Sequence, residues 1–244
     1  MKNKVFVQTS LILLLFNCLA FVSCKNNLLI FSENEMKGLT EIRQFLGGNL
    51  TCGKRWGNST DEGKTSVFTV TLKDSNGAEA IANTKMKSRP VQMIASNMAY
   101  MLYKNMAEER SKYTAIRATI NFANGKTNTL QYSTTELEVA ATKIKVVNKI
   151  VDLLKAKNYE GLNAYFVDKS PYSKLSKKER IAFIKSIESR FPSTEEFELW
   201  GFGQDTETIT FIGNLIRGGE PYRFIIMLNP DVSKEEVYLI DYDY

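Results

Sequence analysis

The sequence contains no histidine. Ser-His-Asp and Cys-His activation of a nucleophile both need an imidazole as general base, so those hydrolase chemistries are closed to this chain. Catalytic zinc sites nearly always use histidine, and three cysteines are too few for an all-cysteine structural site. There is no Gly-x-x-x-x-Gly-Lys-Ser/Thr loop, and Gly201-Phe202-Gly203 lacks the third glycine and the helix start of a dinucleotide fingerprint. No metal and no cofactor is therefore expected. Carboxylate, tyrosine and lysine chemistry remain. Clustered positive charge is missing too: the formal net charge is +5, but the front half is only mildly basic and the back half near neutral, which argues against a nucleic-acid partner. No apolar run reaches the roughly 20 residues that span a bilayer core.

What is present starts at residue 1. Lys2 and Lys4 lead a run from Leu11 to Val22 that is apolar except for Asn17 and Cys18, and the small Ser23 follows. A positive flank, a short apolar segment and a small residue at the cut make an export signal. Phe21-Val22-Ser23-Cys24 resembles the lipobox of bacterial lipoproteins. The resemblance implies cleavage before Cys24 and acyl chains on its thiol, each buried CH₂ contributing about 0.8 kcal/mol to a membrane anchor. By the same resemblance Lys25-Asn26-Asn27 carries neither an aspartate that retains a protein at the inner membrane nor an acidic surface-export run. The expected location is the outer membrane, facing the periplasm. Loss of residues 1–23 removes two lysines and no acids, lowering the formal charge of +5 by two. Cys52 is then the only other thiol. If Cys24 is not lipidated, a Cys24–Cys52 disulfide is the competing reading, and the two exclude each other at one sulfur.

Residues 24–244 exceed one typical domain, and the pattern suggests two. In residues 24–134, Ser32-x-x-Glu35 has capping-box spacing ahead of Met36, Leu39, Ile42, Phe45 and Leu46, with Gly47-Gly48 as the stop. Asn49 to Lys64 reads as a polar loop. Ser66–Lys73 alternates as a strand, and Asn76-Gly77 predicts a hairpin to a partner near Glu79–Met86. Ser88 and Pro90 open a helix whose Val91, Ile94, Met98, Met101, Leu102 and Met106 read as core. Tyr113–Phe122 and Thr127–Ser133 form a second hairpin. The sum is helix, ββ, helix, ββ: a small α+β domain on an antiparallel sheet.

In residues 135–244, Thr135 and Glu138 predict the cap of a long helix with Leu137, Ala141, Ile144, Val147, Val151 and Leu154 inside and Lys143, Lys145, Lys149 and Lys155 outside. Tyr159–Phe166 gives a short helix, and Ser176-x-x-Glu179 caps a third. Strands at 196–202, 207–216, 221–228 and 236–242 predict an antiparallel meander. This α-α-α-β-β-β-β order, with the phrase Val151-Asp152-Leu153-Leu154-Lys155-Ala156-Lys157-Asn158-Tyr159-Glu160, resembles the nuclear-transport-factor-2-like cone. That family includes enzymes using Asp, Tyr or His in the cone and many non-catalytic binding or dimerising modules. The histidine of its commonest enzymatic dyads is missing, and no catalytic residue transfers.

If the cone holds a pocket, Tyr165, Trp200, Tyr222 and Tyr238 are expected near its mouth, since amphipathic aromatics suit such positions. Asp168, Asp205 and Asp241 are the nearest carboxylates in sequence. The expectation is a membrane-anchored lipoprotein that binds an envelope protein, glycan or small ligand without catalysis. The alternatives are an isomerase- or dehydratase-like enzyme using a carboxylate with a tyrosine, and a module that homodimerises through its sheet.

Overall fold

A computed structural model describes residues 31–59, 63–82 and 90–243. The export signal, Cys24 and the Ser88 cap lie outside the described residues. Among the described residues the fold is α+β, with two four-stranded sheets and six α-helices. No helix among the described residues is long and apolar enough to cross a membrane.

Helix α1 (Glu33–Leu46) begins at the predicted capping box: Glu35 N–H donates to Ser32 Oγ at 3.2 Å, and Ser32 N–H returns to Glu35 Oε2 at 2.8 Å. Glu35 is itself buried. It accepts from the Tyr113 hydroxyl at 2.5 Å and pairs with the Lys54 ammonium at 2.7 Å, so the cap also ties α1 to the first sheet. Gly47 and Gly48, both at positive φ, stop the helix.

The segment 49–64 corrects one expectation. It is a long strand, β1 (Asn49–Ser59), running into β2 (Gly63–Lys73), with antiparallel register from Asn49↔Lys73 to Ser59↔Gly63. Its polar composition suits an edge strand. Gly53 and Gly57 leave room for the partner threonines: Thr69 Oγ1 donates to Gly53 O at 3.0 Å, and Thr65 Oγ1 to Gly57 O at 3.3 Å.

The Asn76-Gly77 turn does not close a hairpin either. It opens helix α2 (Asn76–Ala82), where Ser75 Oγ accepts from Ala78 N–H at 3.0 Å and Gly77 lies hard against Leu46. The chain crosses over through α2 and α3 (Pro90–Met106) and returns as β3 (Ala115–Asn121), parallel to β2. β4 (Thr127–Ser133) then pairs antiparallel with β3. The first sheet is therefore mixed, order β1-β2-β3-β4, where an antiparallel one was expected. A parallel neighbour needs a crossover, and helices supply it.

Met98, Met101 and Met106 of α3 are core, as read, and Met93 is buried as well. Helix α1 approaches α3 at Gly38, where an added Cβ would stand 2.9 Å from Leu102 Cα. Gly38→Val is expected to destabilise the fold by about 1–3 kcal/mol through overpacking, read as a lower urea midpoint at unchanged m-value.

Helix α4 (Thr134–Lys155) is capped earlier than expected, by Ser133 and Glu136 in place of Thr135 and Glu138. β4 runs into it without a linker. Lys143 is a second correction on this helix: its ammonium is buried and donates to Asp231 O at 2.6 Å and to Lys234 O. Its aliphatic stem lies in the apolar stripe, and the two carbonyls replace water at its head. A short α5 (Tyr159–Asn163) and α6 (Lys177–Glu188) follow, the latter carrying the predicted Ser176/Glu179 box.

Strands β5 (Thr194–Gln204), β6 (Ile209–Arg217), β7 (Glu220–Leu228) and β8 (Val237–Asp243) form the expected antiparallel meander. One apolar core joins both halves of the chain, from Ile42 and Phe68 through Met98 and Val147 to Phe211 and Phe224.

Candidate functional site

In a four-stranded meander the β5–β6 and β7–β8 turns lie at the same end. Here they meet the loop after α5 and the first turn of α4, and together they line an open cleft of about 1040 Å³. Five carboxylates face it (Glu136, Asp205, Glu207, Asp231 and Glu236) with Lys169 as the lining cation.

Two of these acids are fixed by their own turns. Asp205 Oδ1 accepts from Glu207 N–H at 2.9 Å, Thr208 N–H at 2.7 Å and the Thr208 hydroxyl at 3.2 Å. Asp231 Oδ1 accepts from the Ser233 hydroxyl at 2.7 Å and Ser233 N–H at 3.0 Å. These bonds favour the charged form and hold both carboxyls below the usual carboxylate range, the backbone donors leading at Asp205 and the Ser233 hydroxyl at Asp231. The β7–β8 turn is braced from behind: Asn229 Nδ2 donates to Glu236 Oε2 at 2.7 Å, and the Lys143 ammonium holds the Asp231 carbonyl. The acid positions are thus preorganised.

Tyr172 and Tyr238 supply the aromatic wall, ring centroids 5.7 Å apart and tilted 36°. Desolvation raises the pKa of both phenols, and at Tyr172 the hydroxyl also donates to Glu207 Oε2 at 3.2 Å. Both rings stay neutral near pH 7. Gln204 also lines the cleft, and its Oε1 is buried with no hydrogen-bond partner among the described residues. Among the described residues no three acids gather closely enough to hold a metal ion. The carboxylates are separate contact points spread along a surface.

Of the four aromatics expected at one mouth, Tyr238 lines the cleft; the others are elsewhere. The Tyr165 ring packs on the core, while its carbonyl takes Val237 N–H at 2.8 Å. Trp200 is the extra residue of a β-bulge between Leu199 and Gly201, and its ring lies under Arg223, 5.7 Å from the guanidinium. Tyr222 packs against Phe191, ring centroids 5.0 Å apart and tilted 59°. Strand alternation and the bulge separate them, and neither was visible in spacing. Of the three nominated carboxylates, Asp205 is in the cleft. Asp168 is exposed beside Lys177, and Asp241 accepts from the N–H of Tyr242 at 2.9 Å.

Neither a family model, nor a curated protein, nor a solved structure matches this chain.

Of the side chains missed at the cleft, Tyr172, Gln204, Glu207, Asp231 and Glu236, two had a usable signal, Glu207 and Asp231. Asp205-Thr206-Glu207-Thr208 and Asp231-Val232-Ser233 are both Asx-turn phrases, and a meander places them side by side.

A carboxylate and a tyrosine do meet elsewhere, beneath α6. Glu188 Oε1 accepts from the Tyr242 hydroxyl at 2.7 Å and from Arg217 Nη2 at 2.5 Å, with Glu188 and Arg217 both buried. The Phe191 and Tyr242 rings lie 5.7 and 5.8 Å from the guanidinium. This carboxylate is already committed to a cation, and the cleft lining does not reach it. Its chemistry is that of a buried pin between helix and sheet.

Proposed function

We propose that this chain is a lipid-tethered protein of the bacterial envelope that binds a ligand carrying amine or guanidinium groups in the cleft at the end of its second sheet, without transforming it. The observation that carries this reading is the cleft itself, with five carboxylates against one lysine in a chain of net positive charge. Acids gathered against the overall sign of the charge focus field into a concavity and raise the local concentration of cations. The Tyr172 and Tyr238 faces add cation–π attraction, worth about 0.5–1 kcal/mol at an exposed site. Asp205 and Asp231 need no reorganisation to receive a ligand, because their own turns already hold them charged. On this reading the back half is a nuclear-transport-factor-2-like cone whose interior is occupied by the Glu188–Arg217–Tyr242 pin and its aromatic neighbours. Recognition has moved from the cone's hollow to its rim.

The tether rests on Lys2, Lys4, the apolar run and Phe21-Val22-Ser23-Cys24. Intact mass spectrometry of the membrane fraction is expected to show acylated Cys24, and Cys24→Ser to release the protein. For the cleft, calorimetric titration of the full-length protein in detergent with pentalysine is expected to show saturable binding that weakens as salt rises. Glu207→Gln with Glu236→Gln is expected to weaken it about tenfold or more, each lost charge-assisted contact contributing on the order of 1 kcal/mol. Affinity is expected to be lost once acid protonates Asp205 and Asp231, whose carboxyls are held below the usual carboxylate range. Pentalysine affinity unmoved by the double variant would refute the assignment.

A further inference from the structure

A second concavity lies at the seam of the two halves, away from the acidic cleft. Residues of α1 (Glu41, Phe45), α3 (Tyr100, Met101) and α4 (Ile144, Asn148) meet Phe197 and Leu199 of β5 around about 300 Å³, at the lower end of the size of ordinary small-molecule sites. Two of its charges, Glu41 and Lys104, pair with each other, and Glu198 also lines it, accepting from Asn214 Nδ2 at 3.4 Å. Glu41 accepts from the Lys104 ammonium and from Asn105 Nδ2 at 2.7 Å, and Asn97 Nδ2 donates to Leu199 O at 2.8 Å. Tyr100 also lines the hollow, and among the described residues nothing hydrogen-bonds its hydroxyl. Burial, with Glu41 nearby, pushes its pKa up to about 12, so it remains a neutral O–H donor at every physiological pH. Around it stand the apolar side chains of Phe45, Met101, Ile144, Phe197 and Leu199.

We propose that this seam pocket binds a small uncharged molecule with an apolar body and one carbonyl or hydroxyl oxygen, the oxygen accepting from the Tyr100 hydroxyl. An anionic head is disfavoured, because Glu41 and Glu198 line the hollow against Lys104 alone and would repel it. A wholly apolar guest leaves the tyrosine hydroxyl unsatisfied and forfeits that bond. An occupant touches α1 and β5 at once, so it stabilises the junction of the halves by mass action.

The test uses benzamide as the probe, toluene as its apolar counterpart, and methyl NMR of the full-length protein in detergent. Millimolar benzamide is expected to shift the Met101, Ile144 and Leu199 methyls while leaving Ile226 and Ile240 still. Tyr100→Phe, which removes only the hydroxyl, is expected to weaken benzamide about threefold to tenfold, the worth of one hydrogen bond, and to leave toluene unchanged. The Ile226 and Ile240 shifts of that variant show whether its fold is intact. Absence of seam shifts in the wild type, shifts spread over the whole core, or equal benzamide affinity in wild type and Tyr100→Phe would each overturn the proposal.

Discussion

Replacing Arg217 with methionine is expected to lower folding stability by about 3–5 kcal/mol. Methionine keeps most of the arginine's volume and its contact with Phe191, so packing is not what fails. The loss falls on Glu188, whose carboxylate lies buried and accepts from both Arg217 Nη2 and the Tyr242 hydroxyl. Without the guanidinium, a buried anion stands with one neutral donor, and desolvation dominates. The variant also acquires a diagnostic pH dependence. Burial raises the folded pKa of the stranded carboxyl above its unfolded value, so the folded state binds a proton where the unfolded state does not. The deficit is therefore largest near pH 7 and shrinks as the pH falls through that raised pKa. Removing the whole group, with Arg217→Met, Glu188→Leu and Tyr242→Phe together, is expected to recover most of the loss. Arg217 Nε and Nη1 have no hydrogen-bond partner among the described residues, so the native pin is an incompletely compensated charge pair that an apolar replacement can match. Urea midpoints of the single and triple variants at pH 7 and pH 5 check this. A single-variant loss below about 1 kcal/mol would mean that the pair contributes little beyond its packing.

Where one element's own residues decide its state, the sequence was readable. The Ser32/Glu35 and Ser176/Glu179 boxes, the stop at Gly47-Gly48 and the meander of β5 to β8 all follow from local spacing, and all are present. What misled was a decision made by distant partners. Asn76-Gly77 has the composition of a hairpin turn, but β2 already pairs with β1 on one side, and its other side is taken by β3 from beyond two helices. Asn49–Ser59 shows no alternation because, as an edge strand, it is under weaker demand to bury one face. Lys143 reads as solvent-facing because a lysine on a helix usually is. Its burial depends on carbonyls some ninety residues away, at Asp231 and Lys234.

The cleft was partly legible for the same reason. Asp205 and Tyr238 were named, and each sits where the meander puts the ends of its strands. Trp200 was misplaced by a single-residue bulge, which no pattern of apolar residues announces. Glu136 lines the cleft from the first turn of a helix capped at Ser133, two residues before the cap that spacing favoured. The acidic character of the site comes from three connections that are far apart in sequence, so composition alone, with its positive balance, pointed away from it.

Gly201→Ala is expected to be among the most disruptive glycine-to-alanine changes at the described residues, at or above the roughly 1–3 kcal/mol usual for overpacking. An added Cβ would stand 2.0 Å from Met93 O, a main-chain atom that cannot swing aside as a side chain would. The close approach has a purpose. β5 is an edge strand, and its outward polar groups must be satisfied or blunted. On either side of Gly201, α3 supplies the partners: Phe202 N–H donates to Ser96 Oγ at 2.8 Å, and Asn97 Nδ2 donates to Leu199 O at 2.8 Å. Helix α3 belongs by sequence to the front half, yet it caps the edge of the back half's sheet. Pushing it outward by the width of a methyl breaks both bonds and opens the shared core between Met98 and Phe202. The two halves are then coupled through this contact, and the wild type should unfold in a single transition whether followed at Trp56 in β1 or at Trp200 in β5. Gly201→Ala is expected to lower both midpoints, and to split them if the halves retain independent stability once α3 is displaced. Superimposable wild-type and variant curves at both tryptophans would show that α3 and β5 tolerate the methyl, and that the seam does not join the halves.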